Sequence, residues 1–258
     1  MKNKLILSIF LLGALFTIHA QDANSIVKAS RNRIKADTVS IRSKMVIQAK
    51  DGSTTERVID NYSKDGPNGA RNVIVFQKPE SVAGSRFLTM ENKKGPDDRW
   101  IFLPNLAKVR RIASSEGSGS FMGTDFSYDD ISATSRGAEL DTHSLLREEN
   151  FGGSPCYVIQ SVPKDGSFQY SKMVQWITKD TSMIMKIECY DKKNTLVKTV
   201  EMSGVKTIQE RLTVTVTKMT THAAGTSTTI INEIVKYNDP IPEGVFTTAY
   251  LETGKVSR

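Results

Sequence analysis

A period of two begins at Ile41 and returns, run after run, as far as Tyr237. Ile41, Ser43, Met45 and Ile47 alternate with Arg42, Lys44, Val46 and Gln48. The same rhythm continues through residues 54–62, 71–78, 85–91, 99–103 and 108–112, then through 156–161, 170–177, 183–190, 196–202, 212–221 and 227–237. Side chains of a strand point alternately to its two faces, so this pattern predicts strands with unequal sides. Turn signals divide the runs: Asp51-Gly52, Lys64 to Gly69, Lys93 to Asp98, Pro163 to Gly166, Thr178 to Thr181 and Asp191 to Asn194. Closely spaced strands with no helices repeating between them predict an antiparallel meander in one domain. Residues 135–149 fit helix or strand equally.

Two segments break the rhythm. Residues 22–36 carry Ala23, Ile26, Val27, Ser30 and Ile34 at helical spacing, with Lys28, Arg31, Arg33 and Lys35 facing out and Asp22 as cap. The second is Phe121-Met-Gly-Thr-Asp-Phe-Ser-Tyr-Asp-Asp-Ile131, which follows a Ser/Gly-rich hinge. Here Ser127 is a helix cap, Asp130 completes a capping box, and Phe126 with Ile131 has the spacing of a hydrophobic staple. Asp129 and Asp130 in the first turn suit the positive end of the helix dipole. This predicts a short helix held across an apolar surface by a few anchors, and fits an ordinary loop with a one-turn helix equally, because capping boxes are common.

Residues 1–20 read as a cleavable leader: Lys2 and Lys4, an apolar run from Leu5 to Leu15, and Ala20 at the cut. The remaining 21–258 form the expected domain, exported and soluble. Loss of Lys2 and Lys4 lowers the formal charge from +7 to +5, which favours anionic surfaces only mildly. No dense basic tract with interleaved aromatics is present, so nucleic acid is not an expected partner. Cys156 and Cys189 fall at distant positions of the meander and are expected as two free, buried thiols. His143 and His222, the histidines outside the leader, are expected at the surface. The chain has no G-x-S-x-G elbow and no metal-ligand spacing, so neither an enzyme nor a metal or other cofactor is expected. A hydrolase would need a convergent acid/base pair that the sequence does not display.

Apolar side chains carry more information. Methionine is flexible and suits adaptable apolar surfaces, and most of the methionines fall on expected strands. Trp100 and Phe102 share one face of a strand, as do Met183 and Met185. One sheet with a single long helix has more apolar face than that helix covers, which leaves a concave face open. An acyl chain there gains about 0.8 kcal/mol per methylene. Each residue taken singly is better explained by core packing, and the argument rests on their number.

Trp100-Ile-Phe-Leu-Pro104, Lys108-Val-Arg-Arg-Ile112 and Ser120 to Asp130 resemble the signature of the outer-membrane lipoprotein-sorting proteins, relatives of the LolA/LolB periplasmic carriers. Val174 to Ile177, Met185 to Glu188, Tyr190 to Lys192, Ile241-Pro242 and Phe246-Thr247 are similar too. The resemblance implies a mainly β (α+β) fold: an unclosed antiparallel barrel of about eleven strands round a hydrophobic cavity, with an N-terminal helix and a short lid helix. It implies a monomeric periplasmic carrier for the acyl chains of lipoproteins or lipids, sorting them to the outer membrane. The alternative is an accessory protein of an inner-membrane transporter of the resistance-nodulation-division type. The expected lining and lid comprise Trp100, Phe102, Phe121, Met122, Phe126, Tyr128, Met173, Trp176, Met183 and Met185. Arg110 and Arg111 are expected to make polar contacts to the lid, with Asp125 or Asp130 as partners.

Overall fold

The N-terminal and C-terminal strand runs meet in the middle of one sheet. The computed structural model describes residues 22–66, 69–92, 97–132 and 137–256. The expected leader, parts of the turns at 64–69 and 93–98, and the start of the ambiguous stretch at 135 lie outside the described residues. Helix α1 (Ala23–Arg31) leads into six strands: β1 (Thr38–Gln48), β2 (Thr54–Lys64), β3 (Arg71–Lys78), β4 (Arg86–Met90), β5 (Asp98–Leu103) and β6 (Lys108–Arg111). A crossing segment containing helix α2 (Tyr128–Ser132) follows. Then come β7 (Asp141–Phe151), β8 (Ser154–Pro163), β9 (Lys172–Thr178), β10 (Ile184–Tyr190) and β11 (Leu196–Ser203). The chain ends with β12 (Lys206–Ile208), β13 (Arg211–Thr213), β14 (Val216–Thr221), β15 (Thr226–Tyr237), a 3-10 turn Glu243–Phe246 and helix α3 (Thr248–Thr253).

Among the described residues thirteen strands make one antiparallel sheet in the order β6-β5-β4-β3-β2-β1-β15-β14-β11-β10-β9-β8-β7. The sheet does not close. Each half is a meander, and β1 joins the halves by pairing with β15 from Val39↔Tyr237 to Gln48↔Ser227. The two free edges, β6 and β7, are consecutive in the chain. The ambiguous stretch resolves as the long edge strand β7, and the sheet has thirteen strands where the resemblance implied about eleven. The run at 212–221 divides, and β12 with β13 forms a separate two-stranded ribbon.

One face of the sheet is concave and carries Met45, Ile59, Ile74, Phe76, Phe87 and Ile101 from the first half. In the second half α1 lies on the same side, with Ala23, Ile26 and Val27 against Ile159 and Ile177. Asp22 caps α1 by accepting the Asn24 N–H at 3.3 Å. The helix ends sooner than the expected 36, at Arg31. The convex face of β3 to β6 is covered by the C-terminal tail, where Val245, Phe246 and Leu251 pack on Val73, Val75, Leu88 and Phe102. Arg86 fixes this cover by donating to the Leu251 carbonyl at 2.8 Å. The tail thus supplies a second cover that the sequence reading, with one long helix in hand, did not count.

Cys156 stands opposite Thr178 on β9, and Cys189 stands opposite Met173. Five residues of strand separate those positions, roughly 16 Å, and the odd interval puts the thiols on opposite faces. No disulfide spans that distance. Both thiols are buried, and burial raises the pKa of each. Neither is expected to react with a thiol reagent at pH 8 in the native protein, and both are expected to react after denaturation without reductant. Fewer than two reactive thiols in the denatured chain would contradict this geometry.

Candidate functional site

The connection from β6 to β7 joins opposite edges of the sheet, so it runs across the concave face. It begins with a 3-10 turn at Ser114–Glu116 and a close approach at Gly117. A Cβ at Gly117 would lie 2.3 Å from the Asp129 carboxylate, so a larger residue there would push that carboxylate aside. The chain then makes a tight loop: Ser120 bridges Ser127, and Phe121 N–H donates to the Phe126 carbonyl at 2.8 Å. Met122 and Gly123 at its tip have φ of 52° and 73°. The Ser/Gly-rich stretch is therefore a fitted turn, not a loose hinge.

The expected local code holds in detail. Asp130 accepts the Ser127 N–H at 2.8 Å, and Ser127 Oγ accepts the Asp130 N–H at 3.0 Å, which closes the capping box. Phe126 and Ile131 pack together as a staple, against Val200, Met219 and Ile230 of the second half-sheet. Phe121 is fully buried in the first half, with ring centroids 5.1 Å from Phe87, 5.7 Å from Tyr128 and 5.8 Å from Phe76. The segment is a plug whose two phenylalanines fill the apolar floor on either side of the β1–β15 seam.

Polar anchors hold the plug at both ends. Arg57 donates to the Met122 carbonyl at 2.6 Å, and burial lowers the pKa of its guanidinium. Asp125 accepts from the hydroxyls of Thr226 and Thr228 on β15 at 2.5 and 2.7 Å. Asp129 pairs with Arg99 at 2.7 Å, with side chains only 14% and 10% exposed. Asp130 receives Lys198 Nζ at 2.8 Å, Tyr170 Oη at 2.8 Å and Gln169 Nε2 at 3.0 Å. Burial, with the Asp130 carboxylate next in importance, pushes the Tyr170 phenol far up, so it stays a donor.

These anchors are not the arginines expected from sequence. Arg110 pairs with Glu116, and Arg111 with Asp98. The reason is strand parity: Arg111 lies opposite Trp100 and points to the convex side, while Arg110 is taken by the adjacent turn. The expected lining residues also separate. Phe121, Met122, Phe126 and Tyr128 belong to the plug, and Met173 lies on the concave side with Tyr170 and Cys189. Trp100 and Phe102 are on the convex side under the C-terminal tail. Trp176 is convex too, packed with Cys156, Val158 and Val174. Met183 is buried just ahead of β10, and Met185 falls in that strand's irregularity between Ile184 and Lys186. His143 is buried, not at the surface, because β7 turns it inward to Ser161 Oγ at 2.8 Å and the Ala138 carbonyl at 2.8 Å. His222 is exposed and meets Thr199. The anchors Arg57, Arg99 and Lys198 went unrecognised. The available signal was a cation at the inward parity of an otherwise apolar strand, such as Arg99 two residues before Ile101.

A cavity of about 890 Å³ opens beyond the plug on the same concave face. It is roofed by α1 and by residues 137–141, and its floor includes Ile41, Asn61, Ser63, Asn72 and Thr89. Each strand changes character at that point: Ile59 gives way to Asn61, Ile74 to Asn72, and Phe87 to Thr89. The concave face is thus half apolar and plugged, half polar and open.

A putative outer membrane lipoprotein-sorting protein domain from Vibrio parahaemolyticus superposes with a TM-score of 0.84 at 27% identity, over 89% of this chain and 98% of that one. A DUF1329 family protein from Desulfovibrio piger gives 0.84 at 30% identity, over 89% and 97%. The chain belongs to the DUF1329 family. A family model described as that of an uncharacterized protein matches residues 68–253. A LolA superfamily protein from Nitrosomonas europaea, at 22% identity and a TM-score of 0.71 over 88% and 98% of the chains, shares the fold. No curated protein matches. This DUF1329 member thus has the LolA-like architecture that the resemblance implied, an unclosed sheet rather than a closed barrel.

Asp130 ties the plug to three side chains of the second half at once, Lys198 on β11 and Gln169 and Tyr170 just before β9. Its replacement by alanine is expected to cost about 3–5 kcal/mol, because the Lys198 ammonium is left buried without a counter-charge. Adding Lys198→Met is expected to restore part of that loss in urea denaturation. An Asp130→Ala protein as stable as wild type would refute the anchoring role.

Proposed function

We propose that the protein is a periplasmic carrier that holds acyl chains of a lipoprotein or a lipid on its concave face. In the unloaded form the segment from Ser120 to Ile131 takes the place of the chains. The supporting observation is that a single crossing segment covers the apolar floor with Phe121 and Phe126, while that floor adjoins an open cavity. The lipoprotein-sorting relative supports a binding role rather than a catalytic one.

The energetics favour reversible exchange. Each buried phenylalanine of the plug contributes roughly 1.5–3 kcal/mol, and the partly buried Tyr128 and Ile131 add less. A chain of about a dozen methylenes gains roughly 10 kcal/mol on the same floor. Plug and chain are therefore of comparable worth, as loading and unloading require. The polar anchors raise the threshold and keep the apolar floor from standing open to water.

Phe121→Ala weakens the plug by about 3–5 kcal/mol and leaves the sheet's own strands intact. It is expected to bind a fluorescent acyl probe more tightly than wild type, measured by titration at fixed protein concentration. Unchanged or absent binding would sink the exchange mechanism. The close packing of Phe121 and Phe126 on the apolar floor also favours a second reading, a periplasmic partner of an inner-membrane transporter whose plug is merely structural. That reading predicts no acyl binding by either protein.

A further inference from the structure

At the boundary between plugged floor and open cavity, three residues stand directly opposite one another on neighbouring strands. Asn72 on β3 faces Thr89 on β4, and Thr89 faces Arg99 on β5. Each has a buried polar atom without a partner among the described residues: Asn72 Oδ1, Thr89 Oγ1 and Arg99 Nε. Thr89 and Arg99 are only 4% and 9% exposed. Asn61 Oδ1, on the adjoining strand, is a fourth such atom. Buried polar groups are nearly always paired, because an unpaired one costs free energy. Three such atoms in a row, with Asn61 one step aside opposite Ile74, lie on one patch of floor beside a cavity that Asn61, Asn72 and Thr89 line, where a ligand would complete the bonding.

The chemistry of the row limits the ligand. Arg99 and Thr89 offer donors, and the guanidinium is charged. The Asn72 and Asn61 oxygens are acceptors that call for hydroxyl or N–H donors. We propose that Asn72, Thr89 and Arg99 form a headgroup subsite for an amphiphile whose head combines an oxyanion with a neighbouring hydroxyl. The inference rests on the carrier reading and names its substrate class. In the unloaded protein the Asp129 carboxylate of the plug pairs with Arg99 and stands in for the oxyanion. A chain that lifts the plug strips Arg99 of this partner, and an unpaired buried guanidinium is strongly unfavourable. A neutral lipid leaves that deficit, whereas an anionic head removes it. The plug thus selects for charge as well as for a chain.

Displacement of a fluorescent acyl probe from the full-length mature protein tests this. The decisive pair is 1-lauroyl-lysophosphatidic acid and 1-lauroylglycerol, which differ only in the phosphate, and lauric acid separates a carboxylate source from a phosphate one. Wild type is expected to bind the lysophosphatidic acid at least ~10-fold more tightly than the glyceride, because hydrogen bonds to charged groups are the strong ones. Thr89→Val removes a hydroxyl that has no partner in the unloaded protein, so it is expected to melt no lower than wild type. It should nonetheless shrink the preference for phosphate. Equal affinity for the two lipids, or an unchanged preference in Thr89→Val, overturns the subsite while leaving the carrier reading intact. Failure of the probe and of all three lipids to bind overturns both.

Discussion

The structure depends on a topological constraint: two strands that follow each other in the chain lie at opposite edges of the same open sheet. The N-terminal meander grows away from the β1–β15 seam in one direction and the C-terminal meander in the other. Their outermost members, β6 and β7, must still be joined. The shortest dry route between them is the concave face, and the segment that takes it has to cover apolar side chains as it goes. Phe121 does this for the first half-sheet and Phe126 for the second. A plug is therefore a consequence of how the sheet is strung, and its composition decides whether it can move.

That composition is mixed in a telling way. The apolar residues sit at the loop and staple, while Asp125, Asp129 and Asp130 each reach polar side chains of the sheet. Pairs such as Arg99–Asp129 and Lys198–Asp130 are nearly dry, and a dry pair contributes little net stability compared with an apolar replacement. Breaking one by removing a single member is nonetheless costly. In the proposed carrier such contacts would penalise partial lifting of the plug before any gain from a ligand begins.

Local signals were legible in the sequence wherever the physics is local. The capping box Ser127/Asp130 and the Phe126–Ile131 staple need only neighbours along the chain, and both appear as read. Strand alternation was equally legible, but it tells which residues share a side and not which side is concave. Trp100 and Phe102 were correctly placed together, yet on the face that the C-terminal tail covers. Parity alone separates Met173 from Trp176, three residues apart. The hairpin joining β12 and β13 was missed because its turn residues, Gln209 and Glu210, adopt φ of 44° and 62° without the usual glycine or asparagine. His143 looked exposed because its partners, Ser161 and Ala138, become neighbours only through strand pairing.

The division of the concave face follows from the same parity. Moving two residues along β2, β3 and β4, roughly 7 Å, replaces Ile59, Ile74 and Phe87 by Asn61, Asn72 and Thr89. A sheet built only to be stable gains nothing from that exchange, since buried amides and hydroxyls without partners cost more than the aliphatic side chains next to them. The polar row is also placed where α1 and the plug leave a cavity instead of packing down. Stability therefore does not account for the row, whereas a ligand with a chain at one end and a polar head at the other uses both halves of the floor at once.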